Sequence, residues 1–596
     1  MVEKRSENSY INNDIIPFLN SNFGYPIHDA GKVRINDVPV FNAGGGRGGS
    51  MDIVYYQNDI PLLLVEAKRD HKNHADALEQ VLRYLKNFPY NKKEFSEAGT
   101  LPKFLATTVG KNIQFYKWAF DYSGEVPEFI TEKIEILPFE SLLTHYGLSD
   151  NYVPRILEPQ NFNSDFFDEL ISIYKYHKKA DKITKLVVQD VIEQLHNYLL
   201  NPDKFTGNKP YVDLDLQGQK AVRDLFRRYD LVASLGPEIA KEFRKAILRS
   251  FQGTALNQYL TEKCVVDFMF GLLGKLNKRT RVLDFECGSG GFLAAAIDLN
   301  DLQLENIKGV DIDYLPYVAA KTYLVLYFKK HGNEILDIPI IQGNGLVDFG
   351  NNWDLVIGNP AGSNKYGHNE EKKIFSHLND DLDGNGKVDK ITEYNLSIQQ
   401  AVQSTCVGGR ICLILPEGVF SNSQDEFLRK YLAKYCNIRA IISLPRGAFK
   451  RGTSTKQMKA GSQTASMKMS ILLAEKIREV NGKDKLEIDT RHLDYPVFLA
   501  NINDPESKVG NVTEWLEERL QVVLDQWVEW LNKAELKNVE KIITKFNKEE
   551  KIKENQKSLF SKVEVEIASI KKEPEIKLKE GKSETKISKE LEDLLK

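Results

Sequence analysis

A strand that stops at a run of glycines and resumes as a helix constrains this chain more than any other stretch. Arg281 to Leu293 reads RVLDFECGSGGFL: a short apolar run, a glycine turn, then the helical run Ala294-Ala295-Ala296-Ile297. Glycines let the backbone approach a ligand closely and the helix N-terminus lies beyond the turn, so the unit is a strand-loop-helix nucleotide cradle. Leu293 stands where a dinucleotide fingerprint has its third glycine, which argues against a dehydrogenase. Further on, Ile307 to Asp313 (IKGVDID) is a second strand ending in an acid, Asp311, suited to accept hydrogen bonds from ribose hydroxyls. Ile338 to Leu346 supplies a third strand and Trp353 to Pro360 (WDLVIGNP) a fourth. The alternation predicts a doubly wound parallel sheet with ligands at the carboxyl ends of its strands.

The ordered set, DFECGSGGFL followed by a strand ending in Asn-Pro, resembles the gamma-type adenine N6 DNA methyltransferases, especially M subunits of type I restriction-modification systems. Gln258 to Lys263 (QYLTEK) is similar to that family's Q-x-x-T-P element. Gly408 to Gly418 (GGRICLILPEG) and Ile441 to Phe449 (IISLPRGAF) match two further strand-and-turn elements. The resemblance implies a Rossmann-like class I fold that binds S-adenosylmethionine through Thr261, Asp284, Cys287, Gly288, Gly290, Phe292, Asp311 and Asn344. It implies that Asn359 and the carbonyl of Pro360 accept hydrogen bonds from the exocyclic amine of an adenine flipped out of the duplex, with positioning doing most of the work.

Three departures bear on activity. The family motif is N-P-P-[FYW], whereas Ala361 and Gly362 follow Pro360 here. The missing ring is worth about 1 to 3 kcal/mol of base stacking, and Tyr366 is the nearest ring that could replace it. Glu262 stands in place of the family's proline and Asn344 in place of a frequent acid.

A second constellation lies near the N-terminus. Met51 to Tyr56 and Pro61 to Lys68 read as two strands joined by a short loop, which brings Asp52, Glu66 and Lys68 together, Glu66 and Lys68 on one face by alternation. Two carboxylates and an ammonium suit Mg2+-assisted phosphodiester hydrolysis, because hard oxygen ligands hold the metal, the metal acidifies a water, and the lysine orients the hydroxide. Gln80 and Tyr84 are one helical turn apart downstream. The set resembles the D...E-x-K and Q-x-x-x-Y elements of PD-(D/E)-x-K nucleases, and Glu7 to Tyr25 resembles the first helix of the nuclease domain of type I R subunits, which makes Glu7 a third metal-ligand candidate with Asp52 and Glu66. Leu105 to Tyr116 reads as a hairpin completing that sheet. The run Ala43 to Ser50 (AGGGRGGS) lacks the G-K-[ST] of a phosphate loop, and no G-x-x-x-x-G-K-[ST] occurs anywhere, so no motor is expected.

Between these regions, FFDELISIYKYHKK and KLVVQDVIEQLHNYLL carry apolar residues at helical spacing, and His196 reads as a structural histidine. Arg446, Lys450, Arg451, Lys456, Lys459 and Lys468 form an acid-free basic stretch suited to phosphate contact. Asp381 to Asp389 (DLDGNGKVD) copies the opening of a calcium loop but lacks the closing Glu, since position 12 is Thr392, so it reads as a polar connector. Thr513 to Lys533 is amphipathic, with Trp515, Leu516, Leu520, Leu524, Trp527 and Leu531 on one side, and the Lys/Glu-rich Lys548 to Lys596 reads as a solvated helix or a disordered arm, not a base-reading domain.

Composition adds bounds. A chain of 596 residues exceeds one core. Five scattered cysteines without C-x-x-C indicate buried thiols, neither disulfides nor zinc. A net charge of -3 leaves any nucleic-acid surface to local clustering, and the lack of an apolar run near the roughly 20 residues of a membrane span points to the cytoplasm.

The expected organisation is α/β: a PD-(D/E)-x-K-like domain at 1–150, a helical connector at 151–250, a Rossmann-like methyltransferase at 251–500, and a helical segment for subunit contact at 501–596. The implied activity is adenine N6 methylation of double-stranded DNA combined with Mg2+-dependent cleavage. No recognition domain is evident, so target choice falls to a separate specificity subunit in a hetero-oligomer. The alternatives are a nuclease whose degenerate methyltransferase domain senses the cofactor and docks DNA, and a non-catalytic scaffold of a phage-defence complex.

Overall fold

The computed structural model describes residues 7–27, 32–39, 50–58, 60–68, 73–87, 101–110, 112–121, 127–150, 152–178, 185–202, 205, 214–250, 261–328, 338–360, 365–366, 391–446, 448, 468–480, 495–504 and 512–533. Two compact units emerge: Met1–Asn257 with Thr322–Asp337, and Gln258–Lys321 with Ile338–Lys596.

The first unit is built on six strands lying side by side in chain order: β1 (Val33–Pro39), β2 (Ser50–Gln57), β3 (Ile60–Lys68), β4 (Phe104–Val109), β5 (Asn112–Asp121) and β6 (Glu128–Ile134). Neighbours are antiparallel except β3 and β4, which are parallel. A parallel pair requires a crossover, and the amphipathic helix His74–Asn87 lies in that connection. Asn58 (φ 51°) and Gly110 (φ 57°) turn the two predicted hairpins, as residues that tolerate positive φ in two-residue loops. One sheet face packs with the N-terminal helical run Glu7–Phe23 around Tyr25, Tyr55, Phe115 and Phe139, with Tyr25 and Tyr55 ring centroids 4.7 Å apart.

The helices Asp168–Lys178, Lys185–Leu200, Leu216–Arg227 and Pro237–Ser250 belong to this same unit. Buried ionic contacts tie them to the sheet. The Phe120 amide donates to Asp168 Oδ2 at 3.0 Å, Lys117 pairs with Asp165, and Lys103, fully buried, donates to the Ser164 carbonyl with its ammonium 4.1 Å from the centre of the Trp118 ring. Arg228 meets Glu169 at 2.7 Å with both side chains almost out of solvent. His196 is buried and sits 3.2 Å from the Thr322 hydroxyl, a satisfied structural histidine.

The second unit holds eight strands: β7 (Val282–Asp284), β8 (Ile307–Asp311), β9 (Ile340–Gln342), β10 (Trp353–Gly358), then, past the small pair β11 (Lys365–Tyr366) and β12 (Ile391–Thr392), β13 (Thr405–Pro416), β14 (Cys436–Ser443), β15 (Met469–Lys476) and β16 (Phe498–Asn501). Their order is β16-β14-β15-β13-β10-β7-β8-β9. From β9 to β13 every pairing is parallel, while β15 runs antiparallel between β13 and β14. Chain order reverses between β7 and β10, the switch point at which doubly wound sheets bind ligands.

The expected amphipathic helix forms at Val512–Lys533. Trp515, Leu516, Leu520, Val523, Trp527 and Trp530 are buried within the second unit. Trp527 donates its indole N–H to the Leu272 carbonyl at 3.1 Å, and a Cβ on Gly271 would lie 2.7 Å from Leu524. The apolar face of this helix therefore packs on the helix Lys263–Leu273 of its own chain.

Candidate functional site

At the switch point the glycine turn after β7 and the Asn-Pro turn after β10 stand on adjacent strands. Gly288 (φ 54°) and Gly290 (φ 79°) adopt the left-handed conformation the turn requires. Gly288 donates its N–H to Asp311 Oδ2 at 2.9 Å, which joins the turn to the end of β8, and the other Asp311 oxygen accepts from the Asp313 amide at 2.8 Å. Asp284 is almost fully buried, and among the described residues its Oδ2 has no hydrogen-bond partner. Burial pushes its carboxyl well above the usual carboxylate range, with a further rise from the Asp311 charge. Around it the backbone leaves no slack: a Cβ on Gly358 would lie 2.8 Å from Asp284 Oδ1, and one on Gly345 would overlap the Phe285 carbonyl.

These features fit a sulfonium nucleoside. A buried carboxylate oxygen awaits an ammonium, an acid at the end of β8 awaits a ribose, and Ile312, 69% exposed beside Asp311, offers apolar surface for a purine. Sequence reasoning passed over Ile312, although an isoleucine between two acids was a visible signal. The other expected residues take supporting positions. Cys287 is buried, its amide bonded to the Val310 carbonyl at 2.8 Å, and burial raises its thiol well above the ordinary value. Phe292 is buried in the helix Gly291–Asn300. Asn344 Oδ1 accepts from its own turn, the Leu346 amide, at 2.8 Å.

Thr261 and Asn359, from motifs 98 residues apart, meet directly: Asn359 Nδ2 donates to the Thr261 hydroxyl at 3.3 Å. Pro360 follows in a buried position. Ala361 and Gly362, the side chain of Tyr366, and the segment 381–389 lie outside the described residues, as do Lys450, Arg451, Lys456 and Lys459 of the basic stretch. Lys468, its last member, is engaged within the unit by Glu417 at 3.2 Å and Asn501 at 3.0 Å.

In the first unit the register gathers polar residues across four strands. Ile53 opposes Val65, which carries Asp52 to the level of Glu66, while Glu66 opposes Thr107 and Thr107 opposes Gln114. Asp52 Oδ2 accepts from the Ala67 amide at 2.7 Å and Lys68 pairs with Glu66. Gln80 donates to the Tyr84 hydroxyl from the crossover helix. Burial first, then the charges of Glu66 and Asp52, raise the Tyr84 phenol, so all five expected residues share one neighbourhood. His74, 2.7 Å from the Thr107 hydroxyl, joins this row and was missed by sequence reasoning. The hydroxyl pair Thr107-Thr108 inside an apolar strand was its only hint. Two adjacent carboxylates match the hard-oxygen donors of a divalent cation. Among the described residues no set of three or more His, Cys, Asp or Glu side chains could hold a metal ion, and the Glu7 side chain lies outside them.

An open doubly wound sheet with a glycine cradle, an acid-ended second strand and an Asn-Pro turn at its switch point defines a Rossmann-like class I methyltransferase fold. The chain belongs to the N-6 DNA methylase family, whose description matches residues 245–580, more than half its length. Residues 33–117 match the N terminus of type I restriction enzyme R proteins. The chain is 26% identical over 304 residues to the type I restriction enzyme EcoEI methylase subunit of Escherichia coli, covering 46% of this chain and 59% of that one. It is 25% identical over 210 residues to the type II restriction enzyme and methyltransferase RM.BcgI of Heyndrickxia coagulans, 33% of this chain and 30% of that one. It thus spans from under a third to about three fifths of these relatives. A solved structure from Listeria monocytogenes, described as a class I S-adenosylmethionine-dependent methyltransferase, covers 61% of this chain and 96% of its own at 19% identity and a TM-score of 0.42. No described helix is long and apolar enough to cross a membrane.

Proposed function

We propose that this chain is the combined subunit of a restriction-modification system, methylating adenine N6 in double-stranded DNA and cutting DNA with Mg2+, its target chosen by a separate specificity subunit in a cytoplasmic hetero-oligomer. The observation that carries it is the meeting of Thr261, Asp284, Asp311 and Asn359 around one switch point, in a chain whose first unit gathers Asp52, Glu66, Lys68, Gln80 and Tyr84.

S-adenosylmethionine, when bound, supplies an electrophilic methyl group. Asp284 Oδ2 would receive the ammonium of its amino-acid end and Asp311 the ribose hydroxyls, with the exposed Ile312 offered to the purine. Asn359 Oδ1 and the Pro360 carbonyl accept hydrogen bonds from the exocyclic amine of the flipped adenine and hold its lone pair toward the methyl group. In the first unit, Asp52 and Glu66 would hold Mg2+ through oxygen ligands, and Lys68 would orient the attacking water.

Ala361 and Gly362 favour a second reading, in which the methylase domain only senses the cofactor and the nuclease acts alone. The protein purified in its native hetero-oligomer, with Mg2+, methyl-labelled cofactor and unmethylated bulk DNA, separates the two. The first reading expects label in adenine, lost in Asn359→Ala, and cleavage, lost in Asp52→Ala and Lys68→Ala. Cleavage without label establishes the second; neither cleavage nor label leaves a scaffold.

A further inference from the structure

We propose that Glu286 selects the base of the cofactor, its carboxylate accepting the exocyclic amine of the adenine while Ser397 holds that carboxylate in place. The proposal deepens the reading above and rests on its cofactor site. An adenine presents an amine that donates, and a pocket selects it by setting an acceptor opposite. Asn344, the polar side chain of the turn after β9, carries no charge, and its Oδ1 already accepts from the Leu346 amide at 2.8 Å. Glu286 brings a carboxylate to the same turn.

Contacts across three strand ends define this corner. The Gly343 amide donates to the Asp311 carbonyl at 2.9 Å, so the turn after β9 flanks the acid at the end of β8 and the exposed Ile312 beside it. The same turn closes on the end of β7. A Cβ on Gly345 would overlap the Phe285 carbonyl and stand 3.4 Å from Glu286 Cγ. Glu286 is half-buried, and its own amide hydrogen-bonds to the Asp284 carboxyl.

The helix Glu393–Ser404 supplies the support. Ser397, fully buried, donates its hydroxyl to Glu286 Oε1 at 3.2 Å, and Gln400 Nε2 donates to the Val347 carbonyl at 2.9 Å, so one helix grips both Glu286 and the connection after β9. The sense of the first bond is fixed, because an ionised carboxylate has no proton to give. It also has about four lone-pair sites, enough to take the Ser397 hydroxyl and an amine together. Burial first, then the charges of Glu393 and Glu286, push the Tyr394 phenol up to about 12, which brings a ring of the same helix within reach of the Glu286 charge. A carboxylate kept only to hold this helix would be indifferent to the base that the nucleoside carries.

The test is calorimetric and needs no methyl transfer. The full-length chain in its native complex is titrated with S-adenosylhomocysteine and with S-inosylhomocysteine, whose base puts an acceptor oxygen where the amine was. Expected for the wild type is a Kd about tenfold to a hundredfold lower for the adenosyl compound, the range of one hydrogen bond to a charged group. Glu286→Gln keeps the shape and can donate to that oxygen, so it should bring the two compounds within a few-fold of each other. Ser397→Ala, which frees the carboxylate to turn, should fall between. A ratio of two Kd values in one preparation is independent of its folded fraction, so a variant that folds poorly still answers. Equal binding of both compounds by the wild type overturns the proposal, as does a Glu286→Gln ratio equal to the wild-type one; in either case the cofactor site stands. If the wild type binds neither compound, the cofactor reading fails and the proposal falls with it.

Discussion

The two sheets carry acids near strand ends and use them in opposite ways. In the first, Asp52 and Glu66 are already engaged, one by the Ala67 amide and the other by Lys68, within a row that continues into Thr107 and Gln114. In the second, Asp284 keeps one oxygen without a partner among the described residues and burial raises its carboxyl well above the usual range, while glycines 290, 345 and 358 bring backbone where side chains would crowd. The first site is assembled by side-chain charge. The second is assembled by shape. The same contrast runs through the units: buried ion pairs bind the helices of the first to one another and to its sheet, whereas close helix packing at Gly271 and Leu524 serves the second.

The largest effect that would break this contrast is expected from Arg228→Met. Removing one partner of a buried pair strands Glu169, at a cost of about 3 to 5 kcal/mol, read as a lowered unfolding midpoint of the first unit, with cofactor affinity in the second intact. Next, Gly345→Ala attacks shape alone. The methyl group would overlap the Phe285 carbonyl, so calorimetry should find no cofactor binding, and stability should fall by about 3 kcal/mol. Asp284→Asn is milder: losing a charged hydrogen bond weakens cofactor affinity about tenfold to a hundredfold. Because burial raises the Asp284 carboxyl and a ligand ammonium favours its ionised form, wild-type affinity should rise with pH as the group ionises. The Asn variant should show no such rise.

Acid sharpens the comparison from the other side. Arg228 and His145 hold the Glu169 carboxyl down to about 2 against an ordinary 4.5, despite its burial. A depressed acid stabilises the fold above its unfolded pKa and loses that contribution as pH falls, so the first unit should weaken between pH 4.5 and about 2, measured by circular dichroism, and Glu169→Gln should flatten that slope. The smallest effect is expected at Gly362→Phe. Restoring one stacking ring is worth about 1 to 3 kcal/mol, a gain of roughly tenfold in methyl transfer. No gain would mean that another ring already stacks on the base.

Much of the second site was legible because its chemistry is local in sequence. The turn Cys287 to Gly291, the acid Asp311 and the pair Asn359-Pro360 each announce a backbone geometry that few other residues can adopt. Asp52, Glu66 and Lys68 were legible for a related reason: a hairpin and a period of two fix their register. The row beyond them was not, because Thr107, Gln114 and His74 reach the acids only through pairing of β3 with β4 and β4 with β5, across a crossover helix. The fate of the terminal helix was hidden too. Its apolar stripe shows that the helix packs against something, and nothing in the stripe names Lys263–Leu273 as the partner.

Sequence by itself determined the classes of element and the chemistry each turn could hold, since glycine turns, strand alternation and helix periodicity are set by neighbouring residues. Only the tertiary structure decided which turns share a site: that Asn359 leans on Thr261, that Asp284 is buried against Gly358, and that the terminal apolar face is spent at home. Contacts between residues distant in the chain depend on how whole surfaces fit together, and that fit is a property of the packed sheet and helices, not of any local stretch.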